Sequence, residues 1–261
     1  MTNSAHLDAD QQLQAKLVAL VKSVDELQFD LDQEKMKVNW DAKRITKLED
    51  TLLSRNRQLI EFISNDFSKR KSFSFSTSKL EKETSLKVVY STDNKLCSIA
   101  WDTGLGGTMT QNVLICQISK PDHSILSKEL YTAGIANGEL KYNCIPTAIG
   151  KINKSKVYFL LGDHQFESNT NGQTMFFLSI ASGRFEKVNV LKHQERATNY
   201  FTLKRDFINS SYTLEVENEV LLEEKIIEDI SLVTIEFAKD KKNKFDILLH
   251  TTKGDKLLWT I

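Results

Sequence analysis

Apolar residues in the first quarter of the chain recur with a helical period. Leu13, Leu17, Leu20, Val24, Leu27 and Leu31 follow one another at spacings of 4, 3, 4, 3 and 4, which lines them up along one narrow stripe of a helix. The stripe breaks between Asp32 and Asp41, where Met36, Val38 and Trp40 alternate with polar residues, and resumes at Ile45, Leu48, Leu52, Leu59, Phe62 and Ile63. Such a break is made either by a turn near Asn39 to Asp41 that folds two helices into a hairpin, or by a stutter in one long helix. We expect the hairpin, with Asp41 as N-cap of the second helix, because a carboxylate there accepts from exposed first-turn amides.

From Leu86 the period changes. Short runs rich in Val, Ile, Phe and Tyr occupy 86–91, 96–101, 113–118, 139–145, 156–161, 174–180, 184–190, 199–204, 212–217, 232–237, 245–250 and 256–261, the spacing of an antiparallel β region. Asn137-Gly138, Asn171-Gly172, Ser182-Gly183 and Lys253-Gly254 tolerate positive φ and are expected at hairpins. Glu223 to Asp229 is too charged for a central strand. The expected fold is α+β: residues 1–64 form a helical hairpin or coiled-coil segment, 65–85 a Ser- and Lys-rich linker, and 86–261 a large antiparallel all-β domain, sandwich or barrel-like.

Composition narrows the class. All 10 glycines lie at or beyond Gly104, and the formal net charge of +0 leaves no global basic field to attract nucleic acid. Cys97, Cys116 and Cys144 contain no C-x-x-C pair and read as small buried hydrophobes. No stretch reaches the roughly eighteen apolar residues that a membrane helix requires, so no membrane span is expected. The first residues are polar and acidic, with neither a cationic start nor an apolar core. A cytoplasmic location is therefore expected as written, with a periplasmic or secreted one if a signal peptide has been trimmed.

The most distinctive stretch runs from Ser91 to Met109, S-T-D-N-K-L-C-S-I-A-W-D-T-G-L-G-G-T-M. Thr92 to Asn94 read as a tight turn, Trp101 as the end of a strand, and Asp102 and Thr103 as turn residues bonding their own backbone. The glycines that follow carry neither the Gly-Lys-Ser/Thr of a P-loop nor the third glycine of a dinucleotide fingerprint. Asp93, Trp101, Asp102, Thr103, Gly106, Gly107 and Thr108 are the candidate binding residues, weighed against a purely structural corner. The stretch resembles a group of uncharacterised bacterial proteins, many of them exported, with the core S-x-D-G/N-K-L-R-x-x-x-W-D-T-x-x-G-G-T-M; Cys97 stands where that core has arginine. The resemblance implies an α-plus-β layout and export, and brings no activity with it. A single S-x-D…W-D unit is also similar to a WD-repeat blade, but one unit does not make a propeller.

Catalytic signatures are sparse. His123, His164, His193 and His250 show no metal-ligand spacing, and no cofactor or metal is expected. Asp163-His164 would need a nucleophile, which no G-x-S-x-G elbow supplies; Asp93, Asp102, Asp122 and Glu167 offer carboxylates without a distinguishing spacing. Lys69-Arg70-Lys71, among Phe67, Phe73 and Phe75, mixes cations with aromatics as single-strand binders do, but reads as a solvated linker. The expected function is a non-catalytic interaction or scaffold protein, meeting a protein partner or itself through the N-terminal helices and presenting a β recognition domain. The alternative is a hydrolase acting on saccharide or peptide through Asp102, Asp163 and His164.

Overall fold

The computed structural model describes residues 3–75, 77–91, 93–105, 112–131, 140–152, 155–167, 169–182, 184–187, 191–193, 196–198, 200–216, 219–225, 230–239, 245–251 and 253–260. It has an N-terminal helical region followed by antiparallel sheets, an α+β fold. The chain divides into two compact units, Met1–Ala136 and Asn137–Ile261.

In the first unit the helical period produces a hairpin. Helix α1 spans Asn3–Lys35 and α2 spans Ala42–Glu61. The break in the stripe is the turn between them. Asp41 caps α2 as its chemistry requires, with extended backbone (φ −94°, ψ 108°) and one carboxylate oxygen accepting from Lys43 N at 2.9 Å and Arg44 N at 3.3 Å. The last turn of α2 widens into a π-helical turn at Phe62–Asp66, then tightens to a 3₁₀ turn at Phe67–Lys69. A short helix α3, Ser78–Glu83, leads into strands β1 (Lys87–Tyr90), β2 (Leu96–Asp102), β3 (Asn112–Ser119) and β4 (Ile125–Tyr131). They form an antiparallel meander in the order β1-β2-β3-β4.

The heptad stripe packs within the chain. Leu17, Val24 and Leu31 are fully buried in one core with Leu52, Leu59 and Ile63, and with Val88, Cys97, Ile99, Trp101, Val113 and Ile115 of the sheet. Because strand side chains alternate, Cys97, Ile99 and Trp101 turn to the helices; Leu96, Ser98, Ala100 and Asp102 between them are buried too, so β2 has no solvent-facing side. The boundary between helix and strand is thus not a boundary between cores. Nor is the segment 65–85 a solvated linker: Phe67 is fully buried, Arg70 and Leu80 nearly so. The Ser/Lys composition hid the apolar residues spaced through it.

Among its described residues the second unit has strands, their turns and one 3₁₀ turn, Ile230–Leu232. Strands β5 (Leu140–Ile152), β6 (Ser155–Glu167), β7 (Thr170–Ala181), β8 (Arg184–Lys187), β11 (Tyr200–Asp206), β12 (Ser211–Val216) and β13 (Glu219–Lys225) build one antiparallel sheet, ordered β13-β12-β11-β7-β6-β5 with β8 on β7. Strands β9 (Leu191–His193) and β10 (Arg196–Thr198) pair separately. Strands β14 (Thr234–Lys239), β15 (Phe245–Thr251) and β16 (Gly254–Thr260) form a second sheet. Phe159, Phe177, Phe201, Leu203 and Leu214 of the large sheet share one core with Ile235, Ile247 and Leu249 of the small one, the sandwich solution for two half-apolar sheets.

Local chemistry explains the edges and one misplaced turn. Pro146 lies in β5, which pairs only with β6 among the described strands, where a missing N–H costs least. Charged, largely exposed β13 is the opposite edge, a composition that discourages pairing with another chain. Asn171-Gly172, expected at a hairpin, lies inside β7 opposite Arg205 and Lys204. Gly172 is there because β11 passes so close that a Cβ would stand 1.8 Å from Leu203 O. Ser182, with φ 50°, and Lys253-Gly254 do fall at the junctions β7–β8 and β15–β16, while Gly183 and Asn137-Gly138 lie outside the described residues.

Candidate functional site

The Ser91-to-Thr103 stretch turns its polar groups onto its own backbone. Ser91 Oγ donates to Asp93 Oδ1 at 2.6 Å and accepts from Lys95 N at 3.2 Å and Leu96 N at 3.0 Å, while Asp93 Oδ1 also accepts from Lys95 N at 3.2 Å. Asn94 takes φ 53° at the apex, a conformation Asn tolerates. The S-x-D-N-K signature is thereby a self-wired β1–β2 hairpin. At the far end of β2, fully buried Trp101 donates its indole N–H to Asn56 Oδ1 at 2.9 Å. Asn56 Nδ2 in turn donates to Leu52 O and Thr103 O, both at 2.9 Å. Asp102 Oδ1 accepts from Gly104 N at 2.9 Å and Thr103 Oγ1 from Leu105 N at 3.4 Å. Gly104 itself has φ +72°, and a Cβ there would lie 2.8 Å from Gln28 Cγ. The described part of the W-D-T-G corner is a clamp between β2 and the helical hairpin. Gly106, Gly107 and Thr108 lie outside the described residues.

The basic-aromatic run is also turned inward. Arg70 lies over the rings of Phe67, Phe75 and Phe73, at 4.3, 5.0 and 5.8 Å from their centroids, a cation–π enclosure. It donates to Phe67 O at 2.9 Å and Phe73 O at 3.0 Å, while its buried Nε has no hydrogen-bond partner among the described residues. Burial lowers the guanidinium's pKa, offset by Cys97, Tyr90 and Asp10. Tyr90 is held upward mainly by burial. Burial also pushes the Cys97 thiol up to about 12, leaving no nucleophilic thiolate at neutral pH. Lys69 and Lys71 remain exposed.

Among the described residues the sequence motifs gather no reactive set. Asp102 is 6% exposed. Asp163 and His164 are consecutive residues of β6, and their side chains, like that of Glu167 and that of His193 in β9, lie outside the description. Asp122 bonds Ser124 Oγ and N, which lowers its pKa; His123 sits beside it in the β3–β4 turn with φ 65°. His250 pairs with Asp255 across the exposed β15–β16 hairpin. Among the described residues no three His, Cys, Asp or Glu side chains are placed to hold a metal ion, and no helix is long and apolar enough to cross a membrane.

What motif reading passed over is the hairpin turn. Met36 is 76% exposed, Val38 97% and Trp40 58%, with Phe29 on α1 and Leu53 on α2 also exposed. The turn is held, not frayed. Met36 N donates to Asp32 O at 3.0 Å and Lys37 N to Glu34 O at 3.3 Å, and nearly buried Glu34 bridges Lys37 at 2.6 Å and Arg44 at 3.0 Å, joining both sides of the turn. Lys37, first, and Arg44 hold the Glu34 carboxyl below its ordinary range. The signal was present as three apolar residues alternating with polar ones where the helical stripe fails. No protein-family model and no curated protein matches the chain, so its functional reading rests on this geometry.

Proposed function

We propose that the chain is a non-catalytic interaction protein whose helical hairpin makes the contact through its turn. The observation that carries the reading is the exposure of Met36, Val38 and Trp40 on a turn fixed by Asp41 and Glu34. Apolar side chains held in water by a rigid support gain free energy when covered, with little ordering cost left to binding. The heptad stripe is not the contact face, since Leu17, Val24 and Leu31 are already buried within the chain. A hydrolase using Asp102 draws no support, because that carboxylate is buried and accepts from Gly104 N. The test is a photoreactive side chain at position 38 of the full-length protein in cells. Cross-linking to a reproducible set of molecules, lost when Met36 and Trp40 are changed to Ser, is the expected result; no cross-link at all would overturn the reading.

A further inference from the structure

We propose that the hairpin turn seats on an anionic lipid surface, an inference that rests on the contact role just assigned to it. The turn joins the ends of two helices, and its apolar side chains alternate with cations: Lys35, Met36, Lys37, Val38, then Trp40, with Lys43 and Arg44 opening α2. A membrane interface accepts that alternation as it stands, taking Val38, Met36 and Trp40 into the headgroup–acyl boundary while lysine and arginine stems carry their charges up to the phosphates. Trp is the residue most at home at that depth.

The charges point the same way. Between Lys35 and Arg44 there are four cations and one carboxylate, Asp41, and Asp41 bonds the first amides of α2. Glu34 is 4% exposed and is shared by Lys37 and Arg44, so one carboxylate faces two cations. Lys35 pairs with Glu49 at 2.9 Å. Asp30 and Asp32 lie on the last turns of α1 and Asp50 lies further along α2; all three are behind the apex along the helices. A chain of net charge +0 thus sets four cations against three carboxylates, Asp41, Glu34 and Glu49, around Val38 and Met36, the two most exposed large apolar residues described, and a positive excess at an apolar apex is what recognition of an anionic interface requires.

Flotation of the full-length protein with vesicles tests this, using equal parts of phosphatidylcholine and phosphatidylglycerol against phosphatidylcholine alone. The protein is expected to float with the anionic vesicles at low salt and to bind about tenfold or more weakly to the neutral ones. The double variant Val38→Ser/Trp40→Ser and the single variant Lys43→Glu are expected to weaken binding by a similar factor, with melting temperatures that stay at the wild-type value because all three side chains are exposed. Failure of the wild type to float with anionic vesicles, or equal flotation of the double variant, overturns the lipid assignment. If vesicles fail while position 38 cross-links to a protein, the lipid assignment falls and the contact role stands; if both fail, both fall.

Discussion

Asn56 occupies a position where the spacing of α2 asks for an apolar residue, between Leu52 and Leu59 on the buried face. Its amide is the only described partner of Trp101 Nε1 and one of the links to Thr103 O. Asn56→Ala removes the partner and leaves a buried indole N–H, so a loss of about 1–3 kcal/mol is expected. Urea unfolding with an unchanged slope would measure it, and a loss near zero would mean that the clamp is dispensable. Gly172 presents a different kind of necessity. Gly172→Ala sets a methyl 1.8 Å from Leu203 O, which only a backbone shift relieves. The expected cost is at or above the upper end of the roughly 0.5–3 kcal/mol seen for most substitutions, and a melting temperature equal to wild type would refute it. Neither role was visible in sequence. The partner of Asn56 lies 45 residues away, and an Asn-Gly pair reads as a turn until a crossing strand shows why the glycine has no side chain.

Among elements, the helical hairpin was the most legible, since an apolar stripe that stops and restarts with a capping aspartate between leaves few alternatives. The linker was the least: Lys69, Arg70 and Lys71 look alike in sequence, and only three rings supplied by Phe67, Phe73 and Phe75 single out Arg70 for burial. Strands β4, β9, β10 and β13 were not anticipated, being charged or only three residues long. The hairpin turn also has an expected pH response. Glu34 has a lowered pKa in the folded state, so its contribution is complete above the unfolded carboxylate value, roughly 4.3, and is lost as pH falls through the lower folded one. Glu34→Gln should therefore melt below wild type at neutral pH and match it in strong acid. A difference between the two that grows on acidification would contradict the bridge.

At the scale of the whole chain, the sequence marks where helix gives way to strand, but cores need not follow that line. Cys97, Ile99, Trp101, Val113 and Ile115 pack with α1 and α2, whereas Phe159 to Leu249 belong to a core built from strands with Ile230 and Val233 of the turn before β14. A fragment beginning at residue 86 is expected to lose ordered structure in β1 to β4, seen as their rapid amide exchange, while the residues from 157 onward keep their protection; full protection of β2 would show that the helices are not needed. The same shared core sets an order of events during synthesis. The stripe of α1 is complete at Leu31, but Val113 follows 82 residues later (113 minus 31). At roughly 5–20 residues per second, the growing chain carries that stripe for about 4–16 s before the sheet that covers it has been made. In that interval the stripe is covered in steps, by α2 first and then by Phe62, Phe67, Leu80 and the strands β1 and β2 as each is made, so the core of the first unit closes from the hairpin outward.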